Sequence, residues 1–224
     1  MSPAHDLPHW QVPHGPGLAD PLSPAWDEIP SLPPFLRSDG SGPALQQTRL
    51  RLALDDEALR VRFDCEDADA WGTFAQRDDP LYEEEAVEVF LAAGTADPAV
   101  YFEFEVSPLG VLWDGRIHNP TSRRQEMVSD KSWDCPGILW AAGKGRARQD
   151  WWAFFSVPWS GICDLAPGAP PPRFWRANFY RIERPRDGGA PEFSAWSPTF
   201  ASPPDFHQPA RFGALELAGG SSSR

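Results

Sequence analysis

The chain has 224 residues, a length that suits one β-sandwich, and its 41% hydrophobic and 23% charged content excludes global disorder. A formal net charge of −12 excludes nucleic acid and an anionic membrane surface as partners, because both are held by Lys and Arg against phosphate. The 26 prolines predict many short strands joined by irregular loops, and 11 tryptophans exceed the needs of a core this size, which suggests a surface for a flat, partly apolar ligand.

Residues 1–19 are rich in Pro, His and Gly and are expected to form an extended arm. Met1 to Trp10 carries neither the basic nor the apolar region of a secretory signal. No apolar run approaches the ~20 residues of a membrane span. A cytoplasmic protein is therefore expected, secreted only if the start site is misassigned. Residues 20–218 form one continuous domain, and Gly-Gly-Ser-Ser-Ser-Arg at 219–224 reads as a flexible tail.

Strand signals fill that domain. Thr48 to Leu54 puts Leu50, Leu52 and Leu54 on one face. Asp55-Asp56-Glu57 turns the chain, and Leu59, Val61 and Phe63 resume the alternation, which predicts a hairpin. Ala86 to Leu91 points Val87 and Val89 inward and Glu88 outward. In Tyr101 to Val106, Phe102, Phe104 and Val106 share one face and Tyr101, Glu103 and Glu105 the other. Further strands are expected at 111–113, 137–142, 150–157, 174–183 and 212–217. No stretch keeps helical periodicity over three turns. The fold class is all-β, an antiparallel sandwich of immunoglobulin or jelly-roll kind.

Several groups are candidates for chemistry. Arg77 to Glu85 is acidic and contains Tyr82; it is either a solvated loop guarding a strand edge or the rim of a binding face. Glu103 and Glu105 lie two apart on a strand, at about 6.5–7 Å, a spacing shared by inverting glycosidases. Carboxylates also accept hydrogen bonds from sugar hydroxyls, and an exposed polar face is the plainer reading. Asp64, Glu66, Asp67 and Asp69 form either a Ca²⁺ site or a solvated strand end, without EF-hand spacing. Cys65, Cys135 and Cys163 are odd in number and widely spaced, as buried free thiols are. His5, His9 and His14 have no acidic partner at ligand spacing, and His118 and His207 are isolated. No spacing marks a nucleophile, a zinc helix or a phosphate loop.

In order and spacing, these segments resemble the family 9 carbohydrate-binding modules, in particular their stand-alone bacterial relatives. Asp20 to Trp26, the hairpin Leu50 to Phe63, Tyr82-E-E-E-A-V-E-V-F-Leu91, Tyr101 to Gly110, Trp175 to Arg184, Ala195 to Thr199 and Asp205 to Gly213 carry the resemblance. It implies a DOMON-like sandwich in which two aromatic rings clamp a mono- or oligosaccharide. The clamp positions are Tyr82 and Phe206, both usually Trp in the family. Polar contacts fall to Glu88, Asn178 and Tyr180. Glu105 stands where a basic residue is expected on the middle strand, with Arg181 a candidate to restore the charge. The implied role is a non-catalytic binding module in carbohydrate catabolism, of a family often joined to glycoside hydrolases. Three alternatives stay open. One is a glycoside-processing enzyme using Glu88, Glu103 or Glu105. Another is haem binding, hard to assemble with Met1 and Met127 as the two methionines. The third is an interaction module without a small ligand.

Overall fold

The computed structural model describes residues 6–15, 17–67, 69–145, 150–166 and 169–219. Residues 1–5 and 16 of the expected arm and 220–224 of the expected tail lie outside them. In chain order the strands are β1 (His9–Val12), β2 (Leu36–Arg37), β3 (Thr48–Leu54), β4 (Ala58–Cys65), β5 (Ala86–Ala93), β6 (Val100–Val106) and β7 (Leu112–His118). They continue with β8 (Val128–Asp130), β9 (Leu139–Lys144), β10 (Trp151–Pro158), β11 (Phe174–Glu183), β12 (Glu192–Ala195) and β13 (Gly213–Leu217). Among the described residues, no helix is long and apolar enough to cross a membrane.

The β3–β4 hairpin forms as its pattern predicts. The Asp55 carboxylate accepts the backbone N–H groups of Glu57 at 3.0 Å and Ala58 at 2.9 Å, which tightens the turn. That hairpin joins β10 and β9 in a four-stranded antiparallel sheet of order β3-β4-β10-β9. The other sheet has nine strands and runs β1-β13-β11-β5-β6-β7-β8, with β12 pairing β11 and β2. The inward faces of the two sheets bury Leu50, Leu52, Val61, Phe63, Val87, Val89, Phe104, Phe155 and Phe179 in a common core. This is the two-layer sandwich expected when half-buried strands pair their apolar faces.

The extended arm expected over 1–19 is corrected in part. His9–Val12 pairs parallel with Ala214–Leu217 and Val12 is fully buried. Pro8 and Pro13 flank this strand rather than interrupt it, so the missing N–H groups cost no ladder bond inside it. A second apolar cluster lies on the outer face of the large sheet, with Phe90, Tyr101, Tyr180, Ile182, Phe206 and Phe212. It exists because residues beyond β12 fold back over that face. The return is tight where β13 begins: a Cβ on Gly213 would lie 2.3 Å from the Trp196 ring and 2.8 Å from the Pro8 carbonyl. Only glycine fits there.

Candidate functional site

Alternation along β5 and β6 places the site. Val87, Val89 and Leu91 turn toward the inter-sheet core, so Glu88 and Phe90 turn away from it. Phe104 and Val106 likewise send Glu103 and Glu105 to the outer face. The antiparallel register sets Glu88 opposite Glu105 and Phe90 opposite Glu103. On the other side of β5, Tyr180 of β11 lies opposite Glu88. Three carboxyl groups thus form the floor of a cavity of about 790 Å³. Tyr82, Trp113, Arg124, Lys131, Arg184 and Phe193 line its walls, and the segment from Ala201 to Gln208 closes it with Asp205, Phe206 and His207. The volume falls in the ~300–1,000 Å³ range of small-molecule sites.

The two expected aromatic plates both reach this cavity. Tyr82 sits on a short 3-10 turn, Leu81–Glu83, whose buried Leu81 anchors it while the Tyr82 ring stays 38% exposed. The Lys131 ammonium lies 6.0 Å from that ring's centroid. Phe206 is backed by Tyr180, with centroids 4.1 Å apart and planes 12° from parallel, and Phe193 meets it edge-on at 5.9 Å. The Tyr180 hydroxyl donates to the Phe206 carbonyl at 2.9 Å and accepts from the Asn178 amide at 2.8 Å. Phe206 is therefore a held plate.

The floor is electrostatically unusual. Glu88, Glu103 and Glu105 are each no more than 5% exposed. Among the described residues, no Lys or Arg nitrogen is paired with any of them; His207 Nε2 stands 3.9 Å from Glu103. Glu105 Oε2 is buried without a hydrogen-bond partner. Burial pushes Glu88 well above the usual carboxylate range, and the Glu103 charge adds to the effect. Burial does the same to Glu105, with Glu88 and Glu103 beside it. Glu103 is pushed by burial up to about 8, against the opposing pull of Arg124 and Lys131. His207, held by a 2.7 Å hydrogen bond between Nδ1 and the Tyr101 hydroxyl, is pushed by burial down to about 3 and is neutral near pH 7. A glycosidase pair depends on two carboxyls whose environments push them apart. Here all three move the same way, so the arrangement suits hydrogen bonding to a ligand better than acid–base chemistry.

Five of the eight residues predicted to bind ligand converge here: Tyr82, Glu88, Glu103, Glu105 and Phe206. The other three do not line the cavity. Asn178 is fully buried, and its amide is used up by Tyr180, the Phe179 and Ser197 N–H groups and the Ser197 carbonyl. Tyr180 is buried beneath Phe206. Arg181 lies on the opposite face of β11, where it meets Asp67 at 2.7 Å and the Glu66 carbonyl at 2.6 Å. It cannot supply the charge expected of it. Arg124, Lys131 and Arg184 are the cations at the cavity. Sequence reading missed them, along with Trp113 and Asp205, because they arrive from separate loops and strands. Of the 11 tryptophans, Trp26, Trp113, Trp151, Trp159, Trp175 and Trp196 are buried, and only Trp113 lines the cavity.

The four acids read as either a calcium site or a solvated strand end are dispersed. Asp64 pairs with Arg51 at 2.7 Å and Arg62 at 2.8 Å, and Asp69 pairs with Arg186 at 3.2 Å. Glu66 turns its carbonyl to Arg181. Asp67 alone joins an acid group, with Glu85 and Glu183, whose oxygens lie within 4.8 Å of one another. Glu85 is pushed up to about 9 by burial, with the Asp67 charge beside it, so it holds its proton at neutral pH. The Arg181 guanidinium already neutralises Asp67.

Comparison with known proteins supplies the context. The sequence model of carbohydrate-binding family 9 matches residues 41–217. A protein of Arthroderma benhamiae, named as an extracellular protein, is 25% identical over 179 residues, covering 76% of this chain and 77% of that one. That relative overturns the cytoplasmic expectation, which rested on the absence of a leader pattern rather than on any property of the folded domain. Among solved structures, a candidate carbohydrate-binding protein from Bacteroides uniformis superposes with a TM-score of 0.74 at 18% identity, covering 95% of this chain and all (100%) of that one. A family 9 module from Caldicellulosiruptor kristjanssonii with cellotriose gives 0.64 at 14% identity, covering 96% of each chain. The glucose complex of a family 9 module from the same organism gives 0.64 at 15% identity, covering 97% of this chain and 99% of that one.

Proposed function

The chain belongs to carbohydrate-binding family 9, a family of non-catalytic binding modules, and from that premise we propose that its outer-face cavity holds one end of a mono- or oligosaccharide between Tyr82 and Phe206. The observation that carries this reading is the convergence of both rings and three buried carboxyls on one concave patch. A pyranose offers apolar C–H faces to aromatic rings and hydroxyls to polar groups, and the cavity supplies both kinds of surface. Glu88, Glu103 and Glu105 in their protonated form can both donate to and accept from ring hydroxyls. A role in carbohydrate catabolism follows if the bound sugar belongs to a polymer under breakdown.

The affinity has an upper limit. A disaccharide of about 23 heavy atoms at ~0.3 kcal/mol each gains roughly 7 kcal/mol, a Kd on the order of 10 μM. Titration calorimetry with mono- and oligosaccharides tests the proposal, starting with glucose and cellotriose, the sugars held by the two solved relatives. Heat of binding that is lost in Tyr82→Ala and Phe206→Ala supports it. No heat with any sugar, or binding that both variants keep, refutes it.

A further inference from the structure

The cavity floor carries three buried carboxyls with no Lys or Arg nitrogen paired to them among the described residues. Glu88, Glu103 and Glu105 sit on paired strands, buried, with Glu88 directly across from Glu105. The basic groups nearby make other contacts, and Arg124 and Lys131 act on the floor only through space. Arg124 leans on Asp205 at 3.7 Å, Arg184 donates to the Tyr82 carbonyl at 3.1 Å and covers Phe193, and Lys131 lies over the Tyr82 ring. His207 faces Glu103 and is neutral. One carboxyl oxygen, Glu105 Oε2, is buried without a hydrogen-bond partner, while the Tyr82 backbone N–H acts on that carboxyl group. Among the described residues the three acids do not form a group with oxygens within 4.8 Å of one another, as Asp67, Glu85 and Glu183 do. That looser arrangement suits a donor carried on a ligand framework better than a bare metal ion, which draws its oxygens close.

We propose that the site prefers an amino sugar, a pyranose whose protonated amine is received by the carboxyl floor with Glu105 as its principal partner. This rests on the cavity being the sugar site. The physical reason is the asymmetry of buried polar groups: an unpaired carboxyl in an apolar setting is costly, and a charge-assisted hydrogen bond to an ammonium is about twice as strong as one to a hydroxyl. Burial favours the neutral form of all three acids in the empty site, with Glu103 pushed up to about 8. An arriving ammonium reverses that preference for its nearest carboxyl. The proton leaves to the buffer while the amine keeps its own, so the ion pair forms with protons and charge in balance. Binding should therefore release protons, and should strengthen from acid pH toward neutrality until the amine itself loses its charge.

Glucosamine, N-acetylglucosamine and glucose share one ring and differ at a single substituent, so they isolate the amine. Calorimetry at pH 6.5 in two buffers of different ionisation enthalpy reads both affinity and protons released. The expected result is glucosamine binding at least about tenfold tighter than either neutral sugar, with net proton release for glucosamine alone. Glu105→Gln, checked for folding by circular dichroism, should bring the glucosamine-to-glucose ratio toward one. Glucose binding as tightly as glucosamine, or glucosamine binding without proton release, overturns the amine preference and leaves the sugar site standing. Silence with all three sugars, and with cellotriose, removes the sugar site and the preference together.

Discussion

Tyr180 lies flat against Phe206, 4.1 Å between centroids, and its hydroxyl bonds the Phe206 carbonyl. A residue that the family resemblance implies as a ligand contact is instead the support of Phe206. Tyr180→Phe removes the hydroxyl and leaves the Phe206 carbonyl and one Asn178 N–H without that partner. A loss of about 1–2 kcal/mol is expected in urea unfolding. Sugar affinity should fall several-fold in calorimetry at the same time, because the plate loses its anchor. Tyr180→Ala opens a cavity beneath the plate and should cost about 3–5 kcal/mol.

The buried acids predict a pH dependence with a definite sign. Glu103 is raised to about 8, so the folded protein holds a proton there that the unfolded chain gives up near pH 4.5. Stability should therefore fall as pH rises from about 4.5 to about 8, by up to ~1.4 kcal/mol per pH unit for each such group. Glu88 and Glu105 act in the same direction. His207, lowered to about 3, acts oppositely: its contribution is present above pH 6.5 and is lost as pH falls toward 3. Chemical denaturation across pH 4–9 checks this. Glu103→Gln should gain on the parent at pH 8 and lose that advantage at pH 4.

The Arg181–Asp67 pair is buried on both sides, with side-chain exposures of 1% and 0%. Breaking it strands a charge between the sheets. Arg181→Met and Asp67→Asn should each cost about 3–5 kcal/mol in urea unfolding. Arg181→Met combined with Asp67→Leu should cost less than the sum of the single changes, since neither member of the pair is left without the other. The folded fraction should bind sugar as the parent does, because the pair lies across the sheet from the cavity.

Gly213 is set by contact rather than by turn geometry. Gly213→Ala drives a methyl into the Trp196 ring and the Pro8 carbonyl. A destabilisation of about 1–3 kcal/mol, and a lower thermal midpoint in calorimetry, are expected. Trp196→Leu in the same chain should recover part of the loss by making room.

The sequence by itself determined the sandwich. Leu50, Leu52 and Leu54, then Val87 and Val89, then Phe104 and Val106 alternate with period two, and each short run assigns its own inward face without help from the rest. That also sent Glu88, Glu103 and Glu105 to one outer face. The three-residue β8, the two-residue β2 and the strand between Pro8 and Pro13 were not legible, because they are too short to show a period and form by adding to an existing edge. Only the tertiary structure decided what lies above the floor. Arg124, Lys131, Arg184 and His207 come from different segments of the chain and meet through loop closure. It also decided that Tyr180 and Asn178 support Phe206, and that Arg181 faces the other core. The physical reason is locality: alternation fixes a side chain's face from its immediate neighbours, whereas a cavity's walls depend on strand register and on where distant segments return.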